Sequence, residues 1–177
     1  MADVMPHDPR VRVGVAGDAE RLAALGIQVW LHTYATHGIS QEIANYVLAE
    51  FTAAKMSALL ANDSALVLVA ELEDNIVGYA VVDIGAVCQC NPSVRVELVT
   101  LYIQEHFARQ GLGSSLLDRA EQLARQCMGS ALWLKVNARN LSAIEFYASH
   151  GYTKVGTAYF ELGGARHENH VLIGRDA

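Results

Sequence analysis

Two glycines, Gly111 and Gly113, stand directly ahead of an amphipathic run in HFARQGLGSSLLDRAEQLAR, residues 106–125. Leu112, Leu116, Ala120, Leu123 and Cys127 recur at helical intervals, so the spacing predicts a helix over residues 112–127. The first N–H groups of a helix have no acceptor inside it, and the helix dipole puts partial positive charge at that end. Glycines there let an anion, above all a diphosphate, approach those N–H groups closely. An ordinary tight turn is the alternative. Two nucleotide-binding patterns fail on the residues themselves. No lysine follows the glycines as a G-x-x-x-x-G-K-[ST] loop requires, and the third glycine of G-x-G-x-x-G would fall on Leu116.

Other residue types able to do chemistry are scattered. Trp30 and Tyr34 are four apart on a predicted helix and share a face, where their rings could hold a cationic amine or pack in the core. His32 with His37, and His167 with His170, lack a third ligand at metal spacing. Cys88 and Cys90 make a C-x-C without a second pair, and Cys127 leaves an odd total, so neither a metal site nor a disulfide framework is expected. They read instead as buried small hydrophobes or strand-edge thiols.

These groups need a scaffold, and the chain punctuates one clearly. VRVGVA (residues 11–16) predicts a strand, and Asp18 is placed to cap the helix behind it, whose apolar side carries Leu22, Leu25, Val29 and Tyr34. Gly38 and Ser40 break that pattern, and a second helical stretch runs over residues 41–60. ALVLVAELEDNIVGYAVVDIGAV predicts two strands around a tight Asp74–Asn75 turn. Asn91–Pro92 marks another turn, VRVELVTLYI (residues 94–103) a long strand, and ALWLKV a fifth strand beyond the glycine segment. Asn140 caps a short helix, LSAIEFYASH, stopped by Gly151; two last strands, residues 152–162 and 166–173, are joined by Gly163–Gly164. Antiparallel strands followed by a strand–helix–strand crossover imply a mixed α/β (α+β) sheet with helices on its faces.

Composition narrows the class. Apolar residues are 52% and charged residues 18% of the 177, which describes a folded globular chain. Residues 1–9 read as a short tail and residues 10–177 as a single domain, with no internal repeat or linker. Apolar stretches are interrupted before the roughly 18 residues that a membrane span needs. MADVMPHDPR has acidic residues and a proline where a signal peptide has a basic start and an apolar run, so the cytoplasm is the expected compartment. A formal charge of −6 argues against a nucleic-acid partner and is compatible with a cationic substrate.

ARQGLG, residues 108–113, resembles the coenzyme A loop of the GNAT superfamily of N-acetyltransferases, written [QR]-x-x-G-x-[GA]. It departs from the pattern at Ala108, where that family has Gln or Arg; the phosphate contacts there are mainly backbone amides, which tolerates the change. NARNLSAIEFYASHGY resembles the family's N-x-x-A-x-x-F-Y-x-x-x-G-[FY] segment, with Asn140, Ala143, Phe146, Tyr147, Gly151 and Tyr152 in register. The strands NIVGYAVV and VELVTLYI fit as well, so the resemblance covers roughly residues 10–174.

The resemblance implies a GNAT-type sheet, mostly antiparallel, of about seven strands flanked by about four helices. It also implies acetyl transfer from acetyl-CoA, as co-substrate and without a metal, directly to a primary amine. Glu97 is then the candidate general base, Tyr147 the candidate acid for the departing thiolate, and Phe146 a packing residue. Leu101, Tyr102 and Ile103 would pair with pantetheine as an added strand, at a place where family members splay this strand from the next. Arg109, Gln110, Gly111, Leu112, Gly113 and Ser114 would surround the diphosphate, and Asn140 would touch the cofactor while capping its helix. Trp30 and Tyr34 would border the acceptor. Alternatives remain open on the residues: Glu97 paired with Arg95 or with another strand, Tyr147 as a core aromatic, Asn140 as a cap only, and the whole chain as a non-catalytic acyl-CoA sensor. A homodimer is compatible with the family, and the identity of the amine is not legible.

Overall fold

The computed structural model describes residues 9–162 and 164–175. The expected tail therefore lies outside the described residues except for Pro9, as does Gly163 of the last turn. The elements run β1 (Arg10–Val13), α1 (Ala19–Tyr34), α2 (Gln41–Glu50), α3 (Ala53–Leu60), β2 (Ala65–Leu72), β3 (Asn75–Ile84), β4 (Val96–Ile103), α4 (Leu112–Met128), β5 (Leu132–Asn137), α5 (Leu141–Ser149), β6 (Thr153–Leu162) and β7 (Ala165–Ile173). The sheet has seven strands in the order β1-β2-β3-β4-β5-β7-β6. β1–β2, β5–β7 and β6–β7 are antiparallel, whereas β4–β5 is parallel. This is the mixed, mostly antiparallel sheet that the sequence implies, and the parallel step is the one bridged by α4. By their contacts the residues form two compact units, one of residues up to Ala80 with Leu101–Arg119, the other of Val81–Thr100 with Ala120 onward.

In the first unit, β2 is buried from Val67 to Ala70 without alternation, because both faces of this interior strand are covered. Leu22, Leu25 and Trp30 of α1, Val47 of α2 and Met56 of α3 supply the helical side of that core. α1 comes close enough for Gly26 to leave no room for a side chain: a Cβ there would stand 2.5 Å from Phe51 Cδ1 and 2.8 Å from the Tyr79 hydroxyl.

Three local expectations are corrected. The stretch 41–60 is two helices, because the chain extends at Thr52, whose side chain accepts from the Lys55 N–H and starts α3 afresh. The hairpin turn is Glu73–Asp74, both at positive φ (49° and 65°), while Asn75 opens β3 and its amide donates to the Glu73 carbonyl. Asp18 does not cap α1. It is fully buried and accepts hydrogen bonds from the guanidinium groups of Arg12 and Arg21 and from the Val15 N–H.

In the second unit, Trp133, Val171 and Ile173 form a buried cluster with Cys88, Val94 and Ala131. The segment from Gly85 to Arg95 folds over it, closed by the Gly85 N–H to Arg95 carbonyl bond and by Trp133 Nε1–H donating to the Ala86 carbonyl at 2.8 Å. Cys88 is sealed in that cluster, and Cys90 Sγ sits over Gly156, where a Cβ would collide with it. β6 is an edge strand that exposes Val155, Tyr159 and Phe160 and shifts register between Lys154 and Gly156. The buried stripe of α4 is Leu112, Leu116, Leu117, Ala120 and Ala124, so Cys127 faces outward, contrary to its place in the expected apolar repeat.

Candidate active site

β4 brings a carboxylate to a place where the sheet opens. Its parallel ladder with β5 consists of Val96 opposite Leu132 and Glu97 opposite Trp133, although β4 continues to Ile103 and β5 to Asn137. Beyond Glu97 the β4 backbone on this side is outside the ladder. A strand edge released in this way offers N–H and C=O groups to an extended ligand. Val99, on the face of Glu97, is 52% exposed although it belongs to an interior strand.

Glu97 is half-buried and forms an ion pair with Lys135 of β5, with Oε1 and Nζ 3.0 Å apart. Of the alternatives, pairing with another strand is what occurs, and Arg95 is not the partner. The register explains it: Glu97 is level with Trp133, and Lys135 is two residues further on the same face. The Lys135 ammonium also lies 5.3 Å from the Trp133 ring centroid. The sequence reading missed Lys135, since no local pattern says which residue of β5 stands beside Glu97.

At the other end of β4, Leu101, Tyr102 and Ile103 are half-buried. The Tyr102 ring packs edge-on to Tyr79 (5.5 Å between centroids) and near Phe51 (6.3 Å). A Cβ at Gly78 of β3 would stand 2.5 Å from Ile103 Cδ1 and 2.8 Å from the Tyr102 carbonyl oxygen, so this glycine is what lets β4 lie so close. A glycine inside an apolar strand run is the available signal for such an approach.

The chain then turns into the glycine segment. Gln104 N–H donates to the Val77 carbonyl, a short 3-10 turn covers Glu105–Phe107, and Arg109 and Gly111 both take left-handed conformations, with φ 61° and 82°. For Arg109 that conformation costs about 1–2 kcal/mol. Arg109 and Gln110 are exposed, and the Gln110 side-chain amide donates to the His106 carbonyl. Apart from its chain neighbours, no heavy atom of the described residues lies within 4 Å of where a Gly111 Cβ would be. α4 opens at Leu112, with Gly113 and Ser114 half-buried in its first turn and no acidic side chain there to occupy the positive end of the dipole. His32 of α1 reaches Glu105 at 3.2 Å just ahead of this loop.

α5 is placed by its cap, the Asn140 side chain accepting from the Ala143 N–H at 3.2 Å, and ended by Gly151 at φ 84°. Tyr147 is buried on it, its ring edge-on to Phe146 at 5.2 Å and 5.5 Å from Tyr152. The Tyr152 hydroxyl donates to Glu121 of α4 at 3.0 Å, and burial together with that carboxylate pushes the Tyr152 phenol well above its usual pKa. Trp30 is buried between Tyr34 (4.9 Å) and Tyr46 (4.8 Å), and Tyr34 carries the exposed part of this aromatic group. His37 sits beside the Thr36 hydroxyl, His167 near the Phe160 ring, and His170 3.7 Å from Glu168. Among the described residues, no group of three His, Cys, Asp or Glu could hold a metal ion, and no helix is long and apolar enough to cross a membrane.

Arg109 and Gly111, both at left-handed φ, lead into α4, the helix of the β4–β5 parallel crossover. The model of the acetyltransferase (GNAT) family matches residues 24–152. Uncharacterized N-acetyltransferases of Mycobacterium bovis and Mycobacterium tuberculosis are each 30% identical over 159 residues, 90% of this chain and 97% of theirs. The fold is that of the PaiA N-acetyltransferase from Thermoplasma acidophilum, a complex with coenzyme A, at a TM-score of 0.78 and 20% identity over 95% of this chain and 99% of that one. A GNAT-family acetyltransferase from Streptococcus pneumoniae superposes with a TM-score of 0.71 at 22% identity, covering 95% of this chain and all of the other (100%). The chain belongs to the GNAT acetyltransferase family.

Proposed function

We propose that residues 10–177 act as one N-acetyltransferase domain that moves an acetyl group from acetyl-CoA directly to a primary amine, with Glu97 as general base and Tyr147 as general acid. The observation that carries this is the opening of α4. Gly111 in a left-handed conformation, the space over it and a first turn without acidic side chains suit a diphosphate held by the N–H groups of residues 111–114. Arg109 adds a guanidinium from the same loop. The β4 backbone at Leu101, Tyr102 and Ile103 would take the pantetheine as an added strand, with one N–H toward the thioester oxygen, and Asn140 would meet the cofactor from its cap position. Of Trp30 and Tyr34, the exposed Tyr34 would border the amine, with the buried Trp30 packed behind it.

The chemistry asks for a base because an alkylammonium titrates near 10.4 and holds its proton at neutral pH. Full transfer to an ordinary carboxylate is uphill by roughly 6 pKa units, about 8 kcal/mol, so proton loss must run through water or accompany attack on the carbonyl. A phenol near 10 gives its proton to a thiolate whose acid is near 8.5 at little cost. Direct transfer, without an acetyl-cysteine, is supported by where the thiols are: Cys88 is sealed, Cys90 packs on Gly156, and Cys127 lies in the last turn of α4.

The test is release of thiol from acetyl-CoA across a panel of amines, with and without the protein. No thiol release with any amine, in a protein that binds acetyl-CoA tightly, sinks the enzymatic reading. Calorimetric titration of glycine variants checks the loop. Gly113→Val falls at a helical position and is expected to weaken acetyl-CoA binding about tenfold or more, about 1.4 kcal/mol, with stability kept. Gly111→Val weakens binding too but also loses about 1 kcal/mol or more of stability, because a branched residue does not accept its φ. Unchanged affinity in Gly113→Val would make these glycines a plain turn.

A further inference from the structure

We propose that the chain acetylates its own Lys135; this rests on the transferase reading above. The Lys135 ammonium is 3.0 Å from Glu97, the group assigned to take a proton from the acceptor amine. It stands where the β4–β5 ladder has ended, two residues beyond Trp133 on the face that Glu97 shares, with its side chain 42% exposed. An amine in that position is already where the acceptor's amine must come. The chain has three lysines, and the other two also pair with carboxylates, Lys55 with Glu50 at 2.9 Å and Lys154 with Glu168 at 3.9 Å. Neither of those two carboxylates lies on β4, so they provide internal controls for exposure and for the mere presence of a neighbouring acid.

The step is an aminolysis. Glu97, directly or through water, takes a proton from the Lys135 ammonium, and the freed Nζ lone pair forms a bond to the thioester carbonyl carbon. The carbon–sulfur bond breaks, its electron pair leaves with sulfur, and the thiolate takes a proton from Tyr147; the second proton of the acylated nitrogen returns through water to the Tyr147 oxygen, and Glu97 gives up its proton to solvent. The products are Nε-acetyl-Lys135 and free coenzyme A. The resulting amide is neutral, so Glu97 loses its ion-pair partner.

The experiment incubates the folded protein with trideuteroacetyl-CoA, which marks new acetyl groups against any carried from expression, and follows each lysine by peptide mass spectrometry. Lys135 is expected to label about a hundredfold faster than Lys55 and Lys154, the lower end of a general acid–base contribution. That preference should vanish in Glu97→Gln and in wild-type protein unfolded in urea, and Lys135→Arg should gain no label elsewhere. Equal labelling of the three lysines in the folded protein overturns the proposal, as does a preference that survives in Glu97→Gln. An unlabelled Lys135 in protein that releases thiol with an added amine overturns self-acetylation and leaves the transferase reading standing. Failure of both labelling and thiol release removes the transferase reading, and this inference with it.

Discussion

Tyr147→Phe is expected to lower kcat by about 10²–10⁴-fold while acetyl-CoA affinity holds, and Glu97→Gln to show its largest loss near neutral pH. The phenylalanine keeps the buried ring that packs on Phe146 and Tyr152 and removes the hydroxyl proposed to protonate the thiolate. Direct protonation by water of so good a leaving group would bring the loss to the low end of that range. Glu97→Gln should recover partly in alkali, where the amine loses its proton unaided. The Lys135 ion pair adds a comparison. Glu97→Gln also strips Lys135 of its partner, so Lys135→Met is measured alongside it. Rate–pH profiles with one accepted amine separate the two roles. A Lys135→Met profile that copies the Gln variant would make Glu97 an anchor for Lys135, and a wild-type profile in Glu97→Gln would move the base to another group.

Asp18→Ala is expected to cost about 3–5 kcal/mol of stability, because it leaves Arg12 and Arg21 without a buried carboxylate that both reach. Arg12 keeps Glu71 at 2.8 Å, which holds the loss toward the lower figure. Hydrogen bonding from Arg12, opposed by burial and helped by the Val15 N–H, depresses the Asp18 pKa to about 2. The unfolded value is near 3.9, so the protonation-linked stabilisation is complete above about pH 4 and disappears as pH falls toward 2. Its size is roughly 2–3 kcal/mol. Urea unfolding across that range should therefore show a steeper acid loss in wild type than in Asp18→Asn. A loss under about 1 kcal/mol in Asp18→Ala would make the cluster an ordinary surface network.

The contrast between these two sites shows what a sequence makes legible. The loop from Ala108 to Gly113, α4 and the Asn140 cap depend on neighbours within a few residues, so spacing alone marks them. Lys135 and Asp18 depend on partners that only the tertiary register supplies. Asp18 reads as a cap because it precedes a helix, yet Arg12, one strand earlier, takes its carboxylate. The break at Phe51–Thr52 was hidden for another reason. Phe51 is apolar and fits the helical repeat on either side, while the capping hydroxyl of Thr52 is a weak signal inside a continuous apolar pattern. In the β2–β3 hairpin the turn slipped by one residue, since Asp74 and Asn75 both suit turns and only the backbone reveals that Glu73 takes the first left-handed position.

The outer strand β6 bears on how the protein behaves when concentrated. An edge strand with exposed Val155, Tyr159 and Phe160 is the kind of surface on which other chains add and begin to aggregate. Here the invitation is broken at both ends: Lys154 and the register shift beside it disturb one end of the strand, and Glu161 puts charge at the other. The Arg166 guanidinium lies 3.5 Å over the Tyr159 ring and covers one of the apolar faces with a cation. In a chain that is more than half apolar, the register shift and these charges are the features that blunt the β6 edge against the addition of further strands.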